Sequence, residues 1–118
     1  MSTNASVSLA SRMLDAWLKT WVPQILASSA WKQGGVLFIT FDEGATDASC
    51  CGGSGGGHVA TLVISPLGLP GAQSTTPLNH YGLLRTIEDA WGLPYLGAAA
   101  NAAPMNDFFP TNATPPAA

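Results

Sequence analysis

The sequence predicts an α/β fold, on the strength of two strand-like runs and the helical spacing that flanks them. Val36-Leu37-Phe38-Ile39-Thr40-Phe41 is a nearly unbroken apolar run of β-branched and aromatic residues, the pattern of a strand covered on both faces. His58 to Ser65, HVATLVIS, is a second run rich in Val, Ile and Thr. Segments starting near Met13 and Asn79 carry apolar residues at helical intervals. The expected arrangement is part of a three-layer α/β/α sandwich, two buried parallel strands with flanking helices.

Taken in order, Met1 to Ser11 is small and polar and is expected to fray. Asn4-Ala5-Ser6 and Asn112-Ala113-Thr114 fit the glycosylation triplet, which is common by chance. From Met13 the apolar positions are Met13, Leu14, Trp17, Leu18, Trp21, Val22, Ile25 and Leu26, one broad stripe on an amphipathic helix. At that spacing Trp17 and Trp21 read as core residues of a structural helix. Pro23 lacks a backbone donor and crowds the preceding turn, so a kink or a restarted helix is expected there. Ala27 to Gly35 closes the helix, with Trp31 anchoring the turn and Gly34-Gly35 leading into the first strand.

Gly44 to Gly57 is a long loop ending in Gly52-Gly53-Ser54-Gly55-Gly56-Gly57. A phosphate-cradling loop needs a helix start after its glycines, and a strand follows here, so a surface loop is the reading. Ser65-Pro66 ends the second strand. Leu67 to Pro77 is a loop punctuated by Pro70-Gly71. Asn79 is a good N-cap for a helix with Leu83, Leu84, Ile87 and Trp91 on one face, stopped by Gly92 and Pro94. Residues 1–97 are read as one structural segment and 98–118 as an Ala/Asn/Pro-rich tail, poorly ordered apart from docking by Phe108-Phe109.

A chain of 118 residues is at most one domain and buries roughly two-thirds of its unfolded surface. Charged residues make up 9% against 47% hydrophobic, well under the roughly 25% charge of typical soluble domains, so much of the surface expects a cover. The net charge of −3 offers no basic footprint, which argues against a nucleic-acid partner. No apolar run reaches the ~18 residues of a membrane span, and Met1 to Ala10 lacks the features of a signal peptide. Cys50 and Cys51 are adjacent, a spacing that disfavours zinc and makes a mutual disulfide strained. Pairing with a cysteine outside this chain and two free thiols remain equal alternatives.

The candidate chemistry sits where the first strand ends. Asp42 and Glu43 follow the apolar run directly, and sites in α/β sheets lie beyond the carboxyl ends of strands. Adjacent carboxylates repel unless a cation joins them, so a metal site stands against a plain solvated loop. Asp47 is a third carboxylate nearby in sequence, with solvated loop as the safer reading. His80, at the first position of the last helix, either touches a metal or phosphate or fixes the turn by hydrogen bonding. His58, at the end of its strand opposite the carboxyl edge, receives no role. Arg85 has Glu88 and Asp89 three and four residues on, the spacing of ordinary helix pairs.

Four blocks in order, GGVLFITFDEG, ASCCG, GGGHVATLVISPLGLPG and LNHYGLLRTIEDAWGLPYLG, resemble the phosphoesterase family of acid phosphatases and phospholipases C. The resemblance runs from about Asp15 to about Gly97 and matches the C-terminal part of such enzymes. It implies an alkaline-phosphatase-like fold and metal-assisted hydrolysis of phosphate esters, with Asp42 and Glu43 as metal ligands. Calcium, magnesium and manganese all suit carboxylate ligands. It also implies a secreted or periplasmic setting, in which a cysteine bridge would persist.

The family's nucleophile and remaining ligands lie upstream of the matched region, and no Ser or Thr here has a convincing nucleophile setting. The expectation is therefore a C-terminal segment, inactive alone, whose partner is the missing N-terminal part of the same domain. The rival is a stand-alone interaction or metal-binding module, and phospholipase C remains an alternative substrate branch to the phosphatase.

Overall fold

A computed structural model of the chain describes residues 9–46 and 55–110. The sites raised at Asn4, Asp47, Cys50, Cys51 and Asn112 lie outside the described residues. The chain divides into two units, Met1–Gly35 and Val36–Ala118.

The first unit is helical. Helix α1 spans Leu9–Ala27 and is continuous through Pro23, so it does not restart there. Beside the proline, the Gln24 side chain donates to the Thr20 carbonyl at 2.9 Å. Ser28 then caps a short helix α2, Ser29–Lys32, by accepting from the Trp31 N–H at 3.2 Å. The apolar stripe of α1 exists, but the expectation that it forms core is not met. Trp17 is 57% exposed and Trp21 46%, with their ring centroids 6.2 Å apart.

The second unit holds a two-stranded sheet, β1 (Leu37–Thr40) and β2 (Thr61–Ile64), and helix α3 (His80–Trp91). The strands are antiparallel, not parallel as expected, with Leu37 opposite Ile64 and Thr40 opposite Thr61. The path of the connection decides this. A parallel pair needs a crossover, usually helical, that carries the chain back along the sheet. Here the connection folds back on itself, the Gly44 N–H donating to the Gly56 carbonyl at 2.7 Å.

Gly57 makes that fold-back possible. It has φ 74°, a conformation costly for other residues, and a Cβ there would run into the Thr46 carbonyl oxygen. The strands are also less buried than expected. β1 is half-buried along its length, and Thr61 and Leu62 of β2 are exposed.

Helix α3 is bounded as its sequence predicts. The Asn79 side chain accepts from the Gly82 N–H at 3.0 Å. At the other end Gly92 is left-handed, and the Leu93 N–H returns to the Glu88 carbonyl at 2.9 Å. Its buried side differs from the one expected. Leu83 and Leu84 are half-buried, but Ile87 is exposed and Trp91 is 78% exposed. Gly82, Thr86 and Glu88 are buried instead.

What covers them is residues 95–108, a stretch that includes the 3-10 turns Gly97–Asn101 and Asn106–Phe108. As far as residue 110 the tail is therefore folded structure, contrary to the expectation of poor order. Ala99, at 0% exposure, and Met105, at 4%, are the buried apolar residues among those described.

The segment is held by polar contacts. Thr86 Oγ1 accepts from the Met105 N–H at 2.8 Å, and Glu88 Oε1 accepts from the Leu96 N–H at 3.0 Å. Arg85 donates to the Ala100 and Ala102 carbonyls at 2.9 and 3.1 Å, and its guanidinium lies 4.7 Å from the centre of the Tyr95 ring. Its pairing with Asp89 is looser, at 3.7 Å. Backbone carbonyls, more than the expected helix ion pair, are what Arg85 serves.

Candidate functional site

Chain reversal after Thr40 sets the site. Asp42 and Glu43 form the bend that follows β1, both exposed, and Asp42 Oδ1 accepts from the Glu43 N–H at 3.0 Å. His80 reaches this bend from α3. Its Nε2 lies 2.8 Å from the Asp42 carbonyl oxygen, so two residues singled out separately in the sequence are in contact. Asn79 capping places His80 at the helix start, which points that end of α3 at the turn.

Beside this contact lies an open groove of ≈ 890 Å³, within the range of small-molecule sites. Asp42 and His80 line it with Ser74 and Thr76, while Leu83 and Met105 supply apolar wall. Glu43 is not among the lining residues. The wall is anchored by Asp107, whose Oδ2 accepts from the Ser74 and Thr76 hydroxyls at 2.5 and 2.7 Å. Those two donors stabilise the carboxylate and hold its pKa below the ordinary aspartate value.

His58 also lines the groove, a residue the sequence reading set aside. With parallel strands it would stand at the far end of the sheet from Asp42. In the antiparallel register Thr61 faces Thr40, so the start of β2 and the end of β1 share one edge. Strand direction was the missing information, and composition does not encode it.

A hard cation takes about six or more oxygen ligands, and the fit here is partial. Asp42 and Glu43 offer carboxylates, but the described residues contain no group of three or more His, Cys, Asp or Glu side chains able to hold an ion. The imidazole does not add a ligand through Nε2 while that nitrogen is bonded to the Asp42 carbonyl. No helix among the described residues is long and apolar enough to cross a membrane.

Comparison with known proteins extends the pattern. A phosphatidylinositol-3-phosphatase of Mycobacterium tuberculosis is 32% identical over 95 residues, covering 80% of this chain and 29% of that protein. An acid phosphatase of Aspergillus fumigatus is 27% identical over 84 residues, covering 69% of this chain and 17% of that protein. The chain thus spans less than a third of the length of these curated relatives. No solved structure matches it significantly. The Phosphoesterase family model matches residues 9–94, from the start of α1 through Asp42, Glu43 and His80 to just past α3, and the chain belongs to that family.

Proposed function

We propose that this chain contributes to hydrolysis of phosphate esters of the acid-phosphatase kind, with Asp42 and Glu43 supplying part of the shell of a divalent cation. The observation that carries the reading is the position of Asp42, at the end of β1 and on the groove beside His80, inside the family match. Its relatives are named for phosphatase activity, which favours a phosphomonoester substrate over the phospholipase C branch. Within a whole enzyme the second unit would form part of a larger α/β/α sandwich of the alkaline-phosphatase kind, in a secreted or periplasmic protein.

When bound, a divalent ion stabilises negative charge on the phosphoryl oxygens and on the attacking oxygen. The residues of this chain would bind and orient. Asp42 has Oδ1 engaged by the Glu43 amide, so Oδ2 is its atom for a ligand. Ser74 and Thr76 direct their hydroxyls to Asp107, which ties this wall of the groove together. In this reading the attacking group and the remaining ligands come from outside the described residues, and the described part is inactive by itself.

The test is p-nitrophenyl phosphate hydrolysis by the complete gene product that carries this chain. EDTA should abolish activity and calcium, magnesium or manganese restore it. Asp42→Ala should lower kcat/KM by about 10²-fold or more, the scale of losing a positioned catalytic group. Metal-independent hydrolysis, or an Asp42→Ala enzyme as active as the parent, would sink the reading.

A further inference from the structure

We propose that His80 is a positioning residue for the Asp42–Glu43 pair, acting through the peptide bond that joins them; this rests on the reading of that pair given above. The contact spans 38 residues of sequence and closes at 2.8 Å from Nε2 to the Asp42 carbonyl oxygen. A carbonyl only accepts, so Nε2 carries the proton and donates it.

The same peptide unit is held at its other end. Its N–H, that of Glu43, donates to Asp42 Oδ1 at 3.0 Å. A peptide is planar, so the bond from His80 to its oxygen constrains the plane, and its N–H carries that constraint to Asp42 Oδ1. The plane in turn sets ψ of Asp42 and φ of Glu43, the two torsions that relate the two carboxylates. Both carboxylate residues are exposed, so side-chain packing does little to fix them.

The anchor itself is secure. His80 opens α3, whose first turn is tied by the Asn79 side chain to the Gly82 N–H at 3.0 Å. A ring on a capped helix therefore holds an exposed turn. Two consequences follow for the imidazole. Nε2 is committed to the backbone, and Nδ1 is the only ring nitrogen left to meet a substrate. His80 would thus influence cation binding by aiming Asp42 Oδ2, without ligating through Nε2.

Nitrogen-15 NMR of the complete gene product that carries this chain, labelled at these residues and kept in chelator without cation or substrate, tests this. Neutral His80 should be found as the Nε2–H tautomer. In His80→Ala the Glu43 and Gly44 amide resonances should shift while those of Asp89 and Gly92, at the far end of α3, stay in place. His80→Gln, whose amide can donate to the same carbonyl, should bring the Glu43 resonance back toward its parent position. An Nδ1–H tautomer, an unmoved Glu43 amide in His80→Ala, or no recovery in His80→Gln would overturn the proposal. If His80→Ala does not fold, the tautomer of the parent and the Glu43 position in His80→Gln still decide. Loss of the phosphatase reading would leave these signals as expected, and their failure would leave the hydrolysis test untouched.

Discussion

Thr86 does more for the second unit than its size suggests. One hydroxyl donates to the Gly82 carbonyl at 2.7 Å and accepts from the Met105 N–H at 2.8 Å, both out of water. Valine has nearly the same shape and neither function. In Thr86→Val the Met105 amide would stay buried with no acceptor, at a cost of about 1–3 kcal/mol. The loss should appear locally, in the segment that Thr86 holds. Amide exchange at Ala99 and Ala102, which bond to Leu96 and Ala99 carbonyls at 3.1 and 3.2 Å, should accelerate about tenfold to a hundredfold. Unchanged exchange there would mean that the neighbouring contacts of Arg85 and Glu88 hold the segment without Thr86. Glu88 is the natural second anchor, since it is only 2% exposed and keeps Oε1 on the Leu96 N–H at 3.0 Å.

At the scale of elements, α3 trades helix propensity for contact. Gly82 sits in its first turn, where alanine would favour the helix by about 1 kcal/mol. A Cβ at that position, however, runs into the Ala103 carbonyl oxygen, which is backbone and cannot swing aside. Overpacking of that kind costs about 1–3 kcal/mol, so the contact should win. Gly82→Ala is therefore expected to split the response. Amides inside α3 should be protected as well as before or better, while the Met105 amide exchanges faster. Uniform protection of both would show that residues 103–105 move to accept the methyl group at little cost.

The same elements show what was legible in the sequence. Asn79, Gly92 and the two strand runs were readable because each acts through its own backbone or its nearest neighbours. The antiparallel pairing was not, because Gly44 and Gly57 set it by meeting backbone to backbone across the loop. Docking of residues 95–108 was hidden as well. It is written in Thr86, Arg85 and Glu88 bonding to main chain, where a reader of apolar periodicity looks for Ile87 and Trp91. Asp42, Glu43 and His80 stood out individually by residue type and position, but the bond between Asp42 and His80 joins two elements that no spacing relates.

For the whole molecule, the balance of burial sets the expected behaviour. Ordering backbone costs about 1–2 kcal/mol per residue, and apolar burial is the main term that offsets it. Among the described residues, the apolar ones that are buried are Ala99 and Met105, and alanine has little side chain to contribute. Met13, Trp17, Trp21, Leu62, Trp91 and Leu96 are all substantially exposed. With so little apolar surface withdrawn from water, the isolated chain should unfold without a sharp cooperative transition. Its dependence on urea should be shallow, at or below the low end of the ~1–3 kcal/mol/M seen for small domains, because that slope tracks the surface exposed. Circular dichroism during urea and thermal unfolding, at two protein concentrations tenfold apart, provides the check. A sharp transition that does not move with concentration would contradict the expectation and make the chain a self-sufficient domain, favouring a module that works alone. A sharp transition that moves upward with concentration would mean that copies cover one another's exposed residues. A broad one would leave the apolar surface as a face that an additional body of protein could cover.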